Sequence, residues 1–111
     1  MPRPKICRKV CSMPRICEFF PNGESRGSIT LSVDEYETVR LIDKQGFSQE
    51  ECAAYMKIAR TTAQQIYNSA RRKLAKMLVD GAALRIEGGD YSLCNGEESQ
   101  CNCGGCERHL K

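Results

Sequence analysis

Four cysteines and a histidine lie close together near the C-terminal end of this 111-residue chain. The segment "CNGEESQCNCGGCERH" carries the thiols of Cys94, Cys101, Cys103 and Cys106 and the imidazole of His109, with glycines that allow tight turns. Thiolates and imidazole suit zinc, and a set of thiolates alone can hold an iron–sulfur cluster. Two interpretations are open. The tail binds a metal, and Cys94 or Cys101 together with His109 completes a site that Cys103 and Cys106 begin. Alternatively, the tail is disordered and redox-labile.

The remaining cysteines lie outside the tail. Cys7 and Cys11 stand four residues apart near the N-terminus and would share one face of a helix. They either pack this part of the chain onto the core or add ligands to a metal site, which would let metal or redox state control the protein. Cys52, in the middle of the chain, is predicted to be a small buried hydrophobic residue.

Amide and hydroxyl side chains form a second chemically suggestive group. Gln64, Gln65 and Asn68 recur at helical spacing, and glutamine and asparagine can form paired hydrogen bonds with the edge of an adenine. Thr61 and Thr62 precede them near the expected helix start, where backbone N–H groups and hydroxyls suit a phosphate. The pattern favours contact with DNA.

Charge is unevenly distributed along the chain, although the net charge is only +3. Residues 52–79 contain no acidic side chain and include Lys57, Arg60, Arg71, Arg72, Lys73 and Lys76. Such a local positive field suits a polyanion, with Arg60, Arg71, Arg72, Lys73 and Lys76 contacting DNA phosphates. A solvated helix face is the alternative.

Three helices are predicted around these groups. Ser32 with Glu35 forms a capping box that begins a first helix, which runs to Gly46. Its apolar stripe comprises Tyr36, Val39 and Ile42, with Leu41 beside it. Ser48 and Glu51 form a second capping box, which begins a short helix at about residues 48–56.

The third helix is predicted from Arg60 or Thr61 to Val79, after an interruption at Lys57, Ile58 and Ala59. Its expected buried face comprises Ala63, Ile66, Tyr67, Ala70, Leu74 and either Met77 or Leu78. Small residues at Ala53, Ala54 and Ala63 would let the second and third helices approach closely, with Ile58 as an anchor. This spacing favours a helix-turn-helix, and an ordinary antiparallel helix pair is the alternative.

The ends of the chain differ from this helical centre. Residues 1–27, called the arm below, are basic, hold all four prolines and are predicted to be irregular. The segments "GSITLS" (27–32) and "ALRIE" (83–87) are predicted strands that pair with each other or with a second copy. We therefore divide the chain into the arm, a DNA-binding domain over 28–93, and a tail over 94–111.

Several function classes are disfavoured. No apolar run is long enough to cross a bilayer, and the N-terminus lacks the apolar core of a secretion signal, so we expect a cytoplasmic protein. His109 is the only histidine, and no nucleophile, base and acid set or phosphate-binding glycine loop can be assembled. We do not expect an enzyme.

Several motifs resemble a known family. These are "RPKICRKVCSMP" (3–14) and the run from Leu31 to Tyr91, above all "DEYE", "SQEECA", "ARRK" and "ALRIEGG". They resemble uncharacterised protein family 0251, also called domain of unknown function 134, whose helical centre is similar to region 4 of sigma factors. The resemblance implies a helix-turn-helix DNA-binding regulator with no assigned target.

Two positions depart from that family's pattern. Lys57 stands where a glycine is usual in the turn, and Ala59 stands where a serine would cap the next helix. Lysine lacks the easy access of glycine to positive φ. Alanine has no side-chain oxygen to accept a capping hydrogen bond, at a cost of about 1 kcal/mol. Thr61 or Thr62 could cap instead and start the helix slightly later.

The expected molecule is mainly α, with a three-helix, sigma region 4-like helix-turn-helix core and short strands. The expected function is a sequence-specific transcriptional regulator that binds double-stranded DNA as a homodimer, with a supporting helix at about 48–56 and a recognition helix at about 60–79. The alternative is a zinc or iron–sulfur protein whose helices bind another protein, such as RNA polymerase.

Overall fold

The computed structural model describes residues 8–11 and 13–93, which form three helices and two small sheets. In chain order the elements are β1 (Arg8–Val10), β2 (Glu18–Phe19), β3 (Ser28–Leu31), α1 (Val33–Val39), α2 (Gln49–Met56), α3 (Arg60–Asp80), β4 (Ala83–Ile86) and β5 (Tyr91–Leu93). A π-helical turn, Arg40–Lys44, continues α1. The molecule is thus a mixture of helices and strands rather than mainly α, because strands form on both sides of the helical centre.

The strand order of the larger sheet is β2-β4-β3, with β4 antiparallel to β2 and parallel to β3. The predicted strands at 27–32 and 83–87 therefore pair with each other within one chain. The arm, which was predicted to be irregular, also supplies β2 to this sheet and β1 to a parallel pair with β5. Both pairings join segments distant in sequence, so local composition gave no sign of them.

The first helix begins as predicted but ends differently. Ser32 accepts a hydrogen bond from the N–H of Glu35, and the Glu35 carboxylate accepts one from the N–H of Ser32. The helix then widens into the π-helical turn, in which the N–H of Gln45 donates to the carbonyl of Arg40. Leu41 in this turn is fully buried. The predicted apolar stripe of Tyr36, Val39 and Ile42 is half-buried and packs against the core.

The connection between α2 and α3 contains the two positions that depart from the family pattern. Lys57 has a φ of 61° and is the only non-glycine residue with positive φ in the described part of the chain. Ala59 occupies the N-cap of α3, and no side chain caps that helix end. The helix nevertheless starts at Arg60. The suggestion that Thr61 or Thr62 would cap a later start was therefore wrong, because the extended Ala59 already sets the boundary.

The core lies where α3 meets the other elements. Ala63 and Ala70 of α3 are completely buried and Tyr67 nearly so, which confirms these three members of the predicted face, whereas Ile66 and Leu74 are half-buried. Of the two alternatives near its end, Met77 packs against the core and Leu78 is 75% exposed. In α2, Cys52 is completely buried, as predicted, and so is most of Ala53, whereas Ala54, the other small residue expected to face α3, is exposed.

A buried carboxylate joins the arm to the helices. Glu37 is completely buried, and its two oxygens accept hydrogen bonds from the Arg40 guanidinium at 2.7 and 2.9 Å. The backbone N–H of Cys11 donates to the same carboxylate at 2.9 Å. Burial opposes the charge of Arg40, but the bonds and charge of Glu37 outweigh it and raise the pKa of Arg40. The Arg40 guanidinium therefore stays charged beside this carboxylate.

No helix in the described ranges is both long enough and apolar enough to cross a membrane.

Candidate nucleic-acid interface

The polar side chains predicted to read bases lie on the outer face of α3. Thr61, Gln64, Gln65 and Asn68 are exposed, and Thr62 is half-buried. They occupy the first two and a half turns of a helix of 21 residues, opposite the face that carries Ala63 and Ala70. A continuous polar surface is therefore presented on one side of an anchored helix.

Tyr67 fixes the position of this part of α3. Its hydroxyl donates a 2.7 Å hydrogen bond to Asp43 in the π-helical turn, and its ring is largely buried. Burial, followed by the bond to Asp43, raises the pKa of the Tyr67 hydroxyl. The Arg71 guanidinium lies over the same ring, 5.5 Å from its centroid. This contact favours one placement of the Arg71 side chain beside the polar face.

The basic residues predicted to contact phosphates differ in their surroundings. Arg60, Arg71 and Arg72 are exposed along α3. Lys73 instead forms an ion pair with Glu35, with 2.7 Å between its ammonium nitrogen and a carboxylate oxygen. Its charge is therefore partly neutralised within the protein, which distinguishes it from the three arginines.

Glu35 connects α1 to α3 through several bonds that sequence reasoning did not predict. It accepts hydrogen bonds from Ser69 at 2.5 Å and from Lys73, besides the bond from Ser32. Burial raises the pKa of Glu35, but these hydrogen bonds outweigh it, so the pKa lies below its usual value. The capping box identified the bond to Ser32. No local signal linked Glu35 to residues more than thirty positions away.

The start of α3 leaves its backbone donors available. Because no side chain caps the helix at Ala59, the N–H groups of the first turn have no capping oxygen. Arg60 and Thr61 are exposed at the same end. An uncapped helix start beside a guanidinium and a hydroxyl has the donors that an anionic oxygen requires.

Most of the predicted metal ligands fall outside the described residues. These are Cys7, Cys94, Cys101, Cys103, Cys106 and His109. Cys11 is buried next to β1, and the extended conformation of Arg8–Val10 contradicts a helical face shared by Cys7 and Cys11. Within residues 8–11 and 13–93, no three potential ligands come together around a metal position.

The thiol of Cys52 has no environment suited to reaction. Burial, followed by the negative charge of Glu37, raises its pKa to about 11. It therefore stays protonated near neutral pH and acts as a small apolar group, as predicted.

Comparison with known proteins identifies the family. Residues 1–94 match the family model described as "Protein of unknown function DUF134". The chain belongs to this family. It is 51% identical to a UPF0251 protein of Desulfitobacterium hafniense, over all of this chain and 91% of that protein. A UPF0251 protein of Thermoanaerobacter sp. is 45% identical, over 98% of each chain.

A third relative, the UPF0251 protein of Caldicellulosiruptor bescii, is 46% identical, over 94% of this chain and 74% of that protein. No solved structure matches the chain. The family name states no activity, so the function of this member has to be argued from its own surface.

Proposed function

We propose that this DUF134 protein is a sequence-specific DNA-binding transcriptional regulator. In this proposal α2 supports α3 in a helix-turn-helix, and α3 enters the major groove. The exposed polar face at Gln64, Gln65 and Asn68 is the observation that carries the proposal. Three side chains able to bond base edges project from a helix whose opposite face is locked into the core.

The surroundings of that face support the same conclusion. The connection of Lys57, Ile58 and Ala59 is short enough for a helix-turn-helix, and Ile58 packs against the core. Arg60 and the uncapped start of α3 would hold one phosphate, and Arg71 and Arg72 would hold others farther along the backbone. Bases are then read by amides, while affinity comes from the arginines.

Selection of bound fragments from a genomic DNA library, followed by binding measurements on the recovered duplex, tests this proposal. Replacing Gln64, Gln65 and Asn68 together by Ala removes the base contacts and leaves the buried face of α3 unchanged. We expect the preference for the selected duplex over a scrambled one to fall at least tenfold, since each good base contact is worth about 1–3 kcal/mol.

The matched control is Asn22→Ala, which removes an exposed amide remote from α3 in sequence. It should leave the preference unchanged, and circular dichroism should show that both variants are folded. If the triple variant keeps the preference, the amides do not read bases. If the wild-type protein binds no duplex even at low salt, the proposal as a whole is wrong.

A further inference from the structure

Lys73 differs from the other basic side chains of α3 because it is paired within the protein. Of the basic residues on this helix, only Lys73 forms an ion pair with another residue in the described part of the chain. Its ammonium nitrogen lies 2.7 Å from Oε1 of Glu35, while 38% of its side chain remains exposed. Lys73 therefore lies at the surface of the helix that we propose to bind DNA, but its charge is already engaged.

The Glu35 carboxylate offers Lys73 the same chemistry as a DNA phosphate. Both groups are anions whose oxygens accept charge-assisted hydrogen bonds from an ammonium group. Ser69, one helical turn before Lys73, donates to the other carboxylate oxygen at 2.5 Å. Hydroxyl and ammonium groups are usual donors to the phosphates of DNA. Here both donors of α3 bond instead to a carboxylate of α1.

This carboxylate is also held by bonds that do not involve α3. The Glu35 side chain is only 8% exposed, and its Oε1 accepts hydrogen bonds from the backbone N–H and the hydroxyl of Ser32 at 2.9 and 3.0 Å. If Lys73 turned towards a phosphate, it would leave a buried carboxylate without its cation, which is strongly unfavourable. We therefore expect Lys73 to stay with Glu35 when α3 meets DNA.

Glu35 lies beside the surface proposed to contact bases. An open cleft of about 350 Å³ between α1 and α3 is lined by Glu35, Ser69 and Lys73 together with Gln65. Gln65, Ser69 and Lys73 follow one another at intervals of four residues, so they form one stripe along α3. Without Glu35, the flexible four-carbon stem of Lys73 would carry its ammonium group to the edge of the proposed interface.

We propose that Glu35 withholds Lys73 from the DNA backbone and so limits the sequence-independent part of the affinity. This inference rests on the proposed function. Phosphate contacts do not distinguish sequences, so each additional one strengthens binding to every duplex. Because one lysine stays paired inside the protein, discrimination between duplexes depends more on the amides of α3.

The salt dependence of duplex binding tests this proposal. Glu35→Gln removes the charge that holds Lys73 and keeps a side chain of nearly the same size. We expect the slope of log affinity against log salt to steepen by about 0.9, the value for one phosphate contact. The change should be the same for the selected and the scrambled duplex. A purely structural role for Glu35 predicts weaker binding without a steeper slope, and an unchanged slope in the folded variant would overturn the proposal.

Lys73 has to be the source of the steeper slope. Combining Glu35→Gln with Lys73→Ala should return the slope to the wild-type value. Lys73→Ala alone should reduce the slope by less than about 0.3, a third of one phosphate contact. A loss of about 0.9 in this single variant would show that Lys73 already contacts a phosphate in the wild type, and would overturn the proposal without any measurement on Glu35→Gln.

Glu24→Gln is the matched control, because it makes the same change of charge at an exposed position on the arm. The arm meets the far end of α3, where the N–H of Arg26 donates to the carbonyl of Gly81. The slope should keep its wild-type value in this variant, and circular dichroism should show that all the variants are folded. Equal steepening in both glutamate variants would mean that net charge alone is responsible, which contradicts the proposal.

Elution from immobilised heparin separates this proposal from the proposed function, because heparin offers anionic groups without bases. Glu35→Gln should elute at higher salt than Glu24→Gln, which has the same net charge. If it does so while the wild type binds no duplex, only the DNA-binding proposal is wrong. If the two variants elute together while the wild type selects a DNA sequence, only the withholding of Lys73 is wrong.

Discussion

Lys57 adopts a backbone conformation that suits glycine better than lysine. Its φ of 61° and ψ of 46° lie in the left-handed region, where a side chain costs roughly 1 kcal/mol. This residue lies between the two helices of the proposed helix-turn-helix, so its conformation helps to orient α3. The protein therefore tolerates backbone strain at the residue that ends α2.

Replacing Lys57 with Gly should stabilise the protein. Removing the side chain relieves the left-handed strain, while the greater freedom of glycine in the unfolded chain offsets part of the gain, so we expect about 0.5 kcal/mol. Urea unfolding measures the change. Lys57→Ala is the control, because it removes the ammonium group but keeps the strain, and it should give no gain. A gain equal to that of glycine would show that strain is not the cause.

Glu35 should make stability depend on pH. Its pKa is lowered in the folded protein from the ordinary value of 4.5, so its contribution is complete above about pH 4.5 and is lost as pH falls through the folded pKa. Glu35→Gln should therefore be less stable than the wild type at pH 6, and the difference should shrink at pH 3. Urea unfolding at the two values tests this.

The control for that experiment is Glu50→Gln, which changes an exposed carboxylate in the first turn of α2. The difference between this variant and the wild type should change much less between pH 6 and pH 3. If the Glu35 variant behaves in the same way, the bonds from Ser69 and Lys73 do not stabilise the folded state.

Among the elements, α3 combines a firmly packed body with an uncapped start. Its first turn has no capping side chain at Ala59, whereas α1 and α2 both begin with complete capping boxes. The uncapped N-terminus of α3 would leave its first N–H groups available for an anion. The sequence already showed this contrast between the helices, since the two serine caps and the alanine are local features.

Introducing a cap at the start of α3 should stabilise the helix. Ala59 already has the extended φ and ψ of an N-cap, so Ala59→Ser should add about 1 kcal/mol and raise the melting temperature by several degrees. Ala54→Ser makes the same change at an exposed position inside α2, where serine is slightly unfavourable. Thermal unfolding of both variants measures the two changes in melting temperature. Equal effects would contradict the assignment of Ala59 as the cap.

The loop between β4 and β5 holds the start of α1 through close contact. Gly88 accepts a hydrogen bond from the N–H of Val33, and a Cβ on Gly89 would overlap Asp34 and lie 2.9 Å from the Cβ of Ser32. Glycine at position 89 is therefore needed for space as well as for its φ of 96°.

Substitution of these two glycines should have unequal effects. Gly89→Ala combines steric overlap with left-handed strain and should cost about 2–4 kcal/mol, whereas Gly88→Ala, with nothing within 4 Å of the added Cβ, should cost about 1 kcal/mol. Urea unfolding measures the free energy of unfolding of the two variants. Equal losses would mean that the loop can move away from α1.

At the scale of the whole molecule, the charge on α3 determines how the proposed DNA binding should respond to salt. In the proposed complex with DNA, Arg71→Ala and Arg72→Ala should each reduce the slope of log affinity against log salt by about 1, because each would remove one phosphate contact. Lys73→Ala should reduce the slope less and instead lower stability by about 1 kcal/mol, because Glu35 loses its ion pair. Equal slopes for all three variants would contradict the different roles of the two arginines and Lys73.

The sequence by itself determined the helical elements and their chemistry. Capping boxes, apolar periodicity and the acid-free run 52–79 are local, so they specified two helix starts, most of the buried face of α3 and its polar outer face. The metal hypothesis for the tail, which lies outside the described residues, stays a prediction.

Only the tertiary structure decided how distant segments combine. The pairing of β2 and β3 with β4, the bond from the Cys11 N–H to Glu37, and the bonds from Ser69 and Lys73 to Glu35 all join positions whose partners no local pattern identifies. The same holds for Leu78, which periodicity allowed to be either core or surface. Which apolar residues are buried depends on the packing of neighbouring elements, and this is decided only when the chain folds.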